Sequence, residues 1–273
     1  ETIISRKNFY VDKTLFIKDW WENYDSVTLI TRPRRFGKTL NMSMIQYYFE
    51  KTDQDNSYLF NDLKISQTGD KYKAHMGQYP VISLSLKSMK QATYESSFAL
   101  YKKIISDEFK RHSNILKTDK LLLSEKQEYE SICDNTADKD LYLYSVKFLS
   151  DCLYKAYEKN VIILIDEYDV PLENAYFRGY YNEMVDLIRS VFESALKTNN
   201  SLEFGILTGC LRVLKESIFT GLNNLKINSI ITTDYSEYFG FTEPEVKTML
   251  ESYNISERFD DIKGNKLLGK SIK

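Results

Sequence analysis

SVTLITRPRRFGKTLNMSM, residues 26–44, reads as a strand, a turn and a helix in that order. Val27 to Thr31 is apolar and rich in β-branched residues, which predicts a buried strand. Thr39 to Glu50 carries Leu40, Met44, Ile45 and Tyr48 at helical spacing. The turn between them is arginine-rich and ends in Gly37-Lys38-Thr39. A turn of this kind, opening a helix after a buried strand, is built to cradle phosphates. Gly37 lets backbone N–H groups approach the anion, Lys38 reaches the β/γ oxygens, and Thr39 offers a hydroxyl to magnesium. The expected nucleotide-contacting run is Arg34, Arg35, Phe36, Gly37, Lys38, Thr39 and Leu40. Arg34 and Arg35 can grip phosphate or pair with carboxylates at a subunit surface, and the sequence does not divide those roles. The general GxxxxGK[ST] spacing asks for glycine where Arg32 stands, and Pro33 restricts Arg32 to extended backbone.

Two further stretches complete a site. VIILIDEYD, residues 161–169, puts Asp166 just beyond the most apolar strand of the chain. Ligands of α/β sheets bind outside the carboxyl ends of strands, so Asp166 is placed to hold magnesium directly or through water. Glu167 follows and is the candidate to orient or deprotonate an attacking water. Asp169 reads as a structural acid, with a helix cap, a support behind the metal ligands and a surface position all open. EFGILTGCLRVLKESIFTGLNNL, residues 203–225, ends a third apolar strand at Thr208. Thr208 either sits beside Asp166 as a γ-phosphate or water sensor, or caps a helix over Leu211 to Phe219. Arg212 faces the phosphates or a neighbouring subunit, or pairs with Glu216 at i,i+4. The catalytic candidates are therefore Lys38, Glu167, Thr208 and Arg212, and the metal candidates are Thr39 and Asp166.

Elsewhere the periodicity predicts helices over Asp12 to Glu22, Ala92 to Arg111, Lys117 to Tyr129, Leu141 to Tyr157, Arg178 to Lys197 and Thr242 to Tyr253. Thr242 is the expected N-cap of the last, with Glu243, Pro244 and Glu245 in its first turn. Strands are predicted at Tyr79 to Lys87, Leu202 to Thr208 and Ile227 to Ile231. Alternating strands and helices imply an α/β fold with a mostly parallel sheet covered on both faces. Residues 92–157 form a helical insertion within a domain spanning residues 1–258, and residues 259–273 read as a linker or the start of a further region.

The chain of 273 residues carries a formal net charge of -2, so no global field draws it to nucleic acid or anionic lipid. It has no run of 18 apolar residues, which argues against a membrane helix. Three widely spaced cysteines and two isolated histidines lack zinc-ligand spacing and suit a reducing cytoplasm. The 21 tyrosines and 15 phenylalanines are expected in the core and at interfaces; base stacking would need an interleaved basic surface.

In FYVDKTLFI, TLITRPRRFGKTLNMSM, IILIDEYDVPL and ILTGCLRVLKESIFTGLNNL the chain resembles the predicted AAA-ATPase-like family. That family often occurs in bacterial proteins with a C-terminal PD-(D/E)XK nuclease-like domain. The resemblance implies a P-loop NTPase fold of the AAA/ASCE type, with a five-stranded core and an added catalytic-glutamate strand. It gives Lys38 and Thr39 the phosphate-loop roles, Asp166 and Glu167 the magnesium and catalytic-acid roles, and Thr208 the sensor role. Tyr10, Val11 and Asp12 then approach the base. Arg32 fits the family's RPRRFGK[ST] loop, and KLLGKSIK is too short to be a nuclease domain.

The expected function is magnesium-dependent ATP binding and hydrolysis driving a switch in a larger assembly, with a homo-oligomer as one form of that assembly. The alternatives are a nucleotide-binding switch with little turnover, and a DNA-associated or defence regulator that relies on a C-terminal domain or nucleic acid.

Overall fold

The computed structural model describes residues 4, 6, 9–211, 218–219 and 224–264. Among them, five strands form one sheet: β1 (Val27–Thr31), β2 (Val81–Ser85), β3 (Val161–Asp166), β4 (Leu202–Gly209) and β5 (Leu225–Asn228). Their spatial order is β2-β3-β4-β1-β5, and every pairing is parallel. β4 thus lies between β1, which feeds the arginine-rich turn, and β3, which ends in Asp166.

The central strands are buried on both faces, as their unbroken apolar sequence predicts. Side chains still alternate by face. Val161, Ile163 and Ile165 enter one core with Val27, Leu29 and Leu207, while Ile162 and Leu164 enter a second with Ile30, Phe204 and Ile206. Each such fully buried side chain contributes roughly 1.5–3 kcal/mol relative to exposure.

Helices α1 (Leu15–Asn23) and α2 (Lys38–Phe49) cover the second face. Trp20 and Trp21 of α1 pack on Phe49 and Phe204, and the Trp20 indole N–H donates to Thr28 at 3.2 Å. A short helix, α3 (Asp70–Lys73), precedes β2. Helices α4 (Tyr94–Arg111), α5 (Leu123–Cys133) and α6 (Lys139–Tyr157) lie between β2 and β3 in the chain and build the first face. α7 (Val170–Arg178), α8 (Tyr181–Phe192) and a π-helical turn at Glu193–Lys197 follow β3. α9 (Glu243–Ser252) and α10 (Phe259–Gly264) come last. Thr242 caps α9 in a reciprocal box, its own N–H donating to Glu245 at 2.7 Å.

Several boundaries differ from expectation for local reasons. The helix expected over Lys117 to Tyr129 is a 3-10 turn at Ser113–Lys117, followed by α5 starting at Leu123, where Glu125 accepts the Leu122 N–H at 2.9 Å. The helix expected over Arg178 to Lys197 instead starts at Tyr181, because Gly179 adopts φ +86° and ends α7. The sequence reading did not predict α7, although it carries Pro171 in its first turn and Gly179 just past its end. β5 runs Leu225–Asn228 in place of Ile227 to Ile231; pairing with β1 stops at Asn228, and Ile230 and Ile231 are exposed. The expected helix from Leu211 to Phe219 falls largely outside the described residues.

Candidate functional site

The carboxyl ends of β1, β3 and β4 meet at one rim. β1 pairs with β4 so that Ile30 lies opposite Thr208, and β3 pairs with β4 so that Ile165 lies opposite Leu207. This register brings three polar side chains from distant sequence together. The Thr39 hydroxyl donates to Asp166 Oδ2 at 2.6 Å, and the Thr208 hydroxyl donates to Asp166 Oδ1. Asp166 and Thr208 are buried and Thr39 is exposed, so the cluster opens outward through Thr39. Of the two sequence readings of Thr208, the geometry is that of a neighbour of Asp166.

The turn before α2 is shaped by positive φ at Arg35 (+70°) and Gly37 (+80°). Arginine in that region is costly, whereas glycine tolerates it. Gly37 is the N-cap of α2, so the first N–H groups of a twelve-residue helix point out of the turn. Lys38 is only 6% exposed. Its ammonium group folds back to donate to the carbonyls of Arg32 at 2.8 Å and Pro33 at 3.0 Å, with Cys210 Sγ at 3.5 Å. The lysine is thus held at the mouth of the turn by weak acceptors.

Arg32 plays a different part from the glycine whose place it takes. Its side chain is buried, donating to the carbonyls of Thr31 at 3.0 Å and Asn228 at 2.9 Å and lying 5.6 Å over the Phe239 ring. Burial lowers its pKa. Arg32 therefore ties the β1 end to β5 and the segment beyond it, while Arg34 and Arg35 remain exposed.

β3 stops at Asp166, and Glu167 adopts φ +55°, which turns it away from the strand's alternation. Glu167 lines an open cavity of about 520 Å³ together with Arg34, Arg35, Gly37, Lys38, Thr39, Leu40, Lys87 and Lys90. Lys87 and Lys90, which the sequence reading did not single out, come from the loop after β2. They reach the cavity because β2 is the neighbour of β3.

Asp169 is neither a surface acid nor a side-chain cap of α7. It is 2% exposed, and its Oδ2 accepts the N–H groups of Cys210 at 2.8 Å and Leu211 at 2.9 Å. It anchors the chain leaving β4, the segment that continues into Arg212, which itself lies outside the described residues.

A second cavity of about 380 Å³ shares Arg35, Gly37 and Leu40 with the first. Its wall is largely apolar, formed by Phe9, Tyr10, Val11, Phe36, Leu40, Tyr238, Phe241, Met249 and Tyr253. Tyr10 and Val11 line this cavity, whereas Asp12 is turned to Thr14 and to the Lys64 N–H at 2.7 Å. The far wall is locked to the phosphate-type turn. Gly240 N–H donates to the Phe36 carbonyl at 3.0 Å, and Asn41 donates to the Tyr238 carbonyl at 2.8 Å.

Comparison with known proteins agrees with this fold. A family model described as "Predicted AAA-ATPase" (AAA-ATPase-like) matches residues 1–219. An "Uncharacterized protein in vnfD 5'region" of Azotobacter chroococcum mcd 1 is 26% identical over 239 residues, covering 87% of this chain. The chain spans 40% of that relative's length. No solved structure matches. Among the described residues, no helix is long and apolar enough to cross a membrane.

Proposed function

The chain belongs to the predicted AAA-ATPase family, and from that premise we propose that it binds ATP with magnesium and hydrolyses it to ADP and phosphate. The observation that carries the reading is the hydrogen-bonded junction of Thr39, Asp166 and Thr208 beside the Gly37–Lys38 turn. In this reading the α2 N-terminus and the N–H groups around Gly37 receive the phosphate chain. Lys38 exchanges its two carbonyl acceptors for β/γ oxygens, a stronger charge-assisted contact.

Thr39 and Asp166 suit magnesium, because both present hard oxygens already 2.6 Å apart and the ion takes few protein ligands beside water and phosphate. Held there, magnesium would supply positive charge against the phosphates. Glu167 orients the attacking water and accepts its proton. Its left-handed backbone points it into the cavity wall shared with Lys38. The apolar cleft of Tyr10, Val11, Phe36 and Phe241 packs against the adenine ring. The family description supports ATP over GTP.

The switch role has a physical route. Breaking the Thr39–Asp166 bond on nucleotide entry frees Asp166, which Thr208 of β4 also holds. Asp169 carries any shift of the β3 end to the backbone after β4, toward Arg212. Arg212, or an arginine from another copy, then supplies charge to the transition state.

Phosphate release from ATP and GTP with magnesium tests the proposal. The expected result is release that favours ATP and disappears in Lys38→Ala. Equal release by Lys38→Ala, or none from the parent protein despite nucleotide binding, would contradict hydrolysis at this site.

A further inference from the structure

We infer that Lys87 and Lys90 contact the γ-phosphate alongside Lys38, so that the charge around the terminal phosphate is completed largely within one chain. The inference rests on the nucleotide reading above and goes beyond it, because the phosphate-loop pattern assigns nothing to the loop after β2.

Three observations carry it. The first is placement. Both lysines line the same cavity as Lys38, Thr39 and Glu167, on the side of Glu167. Sheet order explains this, since β2 neighbours β3 and its carboxyl end opens beside Asp166 and Glu167.

The second is rigidity. The loop is exposed at its charged tips and pinned at its apolar positions. Leu86 is 2% exposed and Met89 is 0% exposed. Leu86 N–H donates to the Asp166 carbonyl at 3.0 Å, and Met89 N–H donates to the Leu86 carbonyl at 3.0 Å. At its far end, the Gln91 carbonyl accepts from Asn174 at 2.7 Å and Tyr180 at 2.8 Å. The loop is therefore bonded directly to the backbone of the proposed metal-holding residue. The backbone carrying both cations is therefore fixed beside the site, so that only their side-chain stems must order around an anion.

The third is charge. Neither lysine has a carboxylate partner within ion-pair distance among the described residues. The cavity wall carries Arg34, Arg35, Lys38, Lys87 and Lys90 against Glu167, five positive groups and one negative. Five minus one leaves a local +4 on a chain whose formal net charge is -2. A concave wall of one sign focuses its field on an anion. ADP held at the turn by its two phosphates would leave the lysine side of the cavity free, and the third phosphate of ATP would lie there.

The test compares ADP with a non-hydrolysable ATP analogue carrying an imido bridge, both with magnesium, by calorimetric titration of the full chain. Using a non-hydrolysable probe keeps the result independent of turnover. Lys87→Ala/Lys90→Ala is expected to weaken the ATP analogue by about tenfold or more and ADP by less than about threefold. Lys87→Arg/Lys90→Arg is expected to restore the preference for the triphosphate. An unchanged ratio of the two affinities in the double alanine variant would overturn the inference. The Lys38→Ala protein separates the two ideas. If it weakens both nucleotides while the double variant leaves their ratio unchanged, only the lysine assignment fails. If it binds both as the parent does, the nucleotide reading fails and the inference with it.

Discussion

The rim above β1, β3 and β4 and the outer edge of β2 both gather charged side chains, but they treat them in opposite ways. At the edge, Glu108, Arg111 and Glu50 each have strong partners. Glu108 accepts the Ser83 N–H at 2.7 Å and the Arg111 Nε–H at 2.9 Å. Arg111 also donates to the Val81 carbonyl at 2.6 Å and pairs with Glu50. Burial pushes the Glu108 carboxyl up, yet hydrogen bonds from His112 and Arg111 outweigh it and hold it below the usual glutamate range. α4 thus closes backbone groups that an edge strand would otherwise leave open to another chain.

At the rim, several polar groups are only loosely satisfied. Lys38 rests on carbonyls, Glu167 sits in a left-handed conformation, and Asp169 Oδ1 and both amide atoms of Asn228 are buried without a partner among the described residues. Such positions cost stability and persist where something else is gained. The contrast teaches that charge clustering alone does not mark a functional site. The edge cluster is the more tightly paired, and its chemistry is spent on the fold.

Substitutions can break or sharpen this contrast. Glu167→Gln is expected to have the largest effect, lowering turnover by about 10²- to 10⁴-fold with nucleotide affinity kept. Single-turnover phosphate release checks it, and a parent-like rate would move the base elsewhere. Arg111→Ala should act in the opposite compartment. It leaves Glu108 and Glu50 without their cation and should cost about 3 kcal/mol in urea unfolding, with nucleotide affinity per folded molecule unchanged.

Gly209→Ala links the two regions' logic. An added Cβ would lie 2.7 Å from the Tyr168 ring and 2.8 Å from Asp169 Oδ1, at the end of β4. Tyr168 is fully buried and its hydroxyl donates to the Leu211 carbonyl at 2.7 Å, so it yields poorly. A loss of about 1–3 kcal/mol is expected in thermal or urea unfolding.

The smallest effect is a pH dependence. Because the folded-state pKa of Glu108 is lowered, its contribution is present above the ordinary glutamate value, about 4.3, and is lost as pH falls through the lower folded value. Glu108→Gln should flatten the acid limb of the stability profile and leave the neutral limb unchanged in shape. An acid limb identical to the parent's would show that the edge pairing contributes nothing to stability there.

Local signals made most of the candidate site legible before any coordinates. Gly37, Lys38 and Thr39 follow a β-branched run and open a helix, and Asp166 ends the most apolar strand. The same patterns implied a parallel α/β sheet, as found. What escaped depends on strand order. Lys87 and Lys90 are two ordinary lysines in a polar loop until β2 is placed beside β3. The i,i+3 pair of Glu108 and Arg111 can be read from spacing, but its third member, Glu50, comes from the far end of α2. Arg32 stands where the general phosphate-loop spacing asks for glycine; only its burial against Asn228 and Phe239 reveals an anchor.

The most direct test is a titration of magnesium–ATP into the parent chain and Lys38→Ala, with urea midpoints measured on both. The account predicts that Lys38→Ala loses about a hundredfold in affinity, as expected for removal of a charged phosphate contact, while its urea midpoint stays close to the parent's. Equal affinity in the two proteins would contradict the assignment of the rim as a nucleotide site.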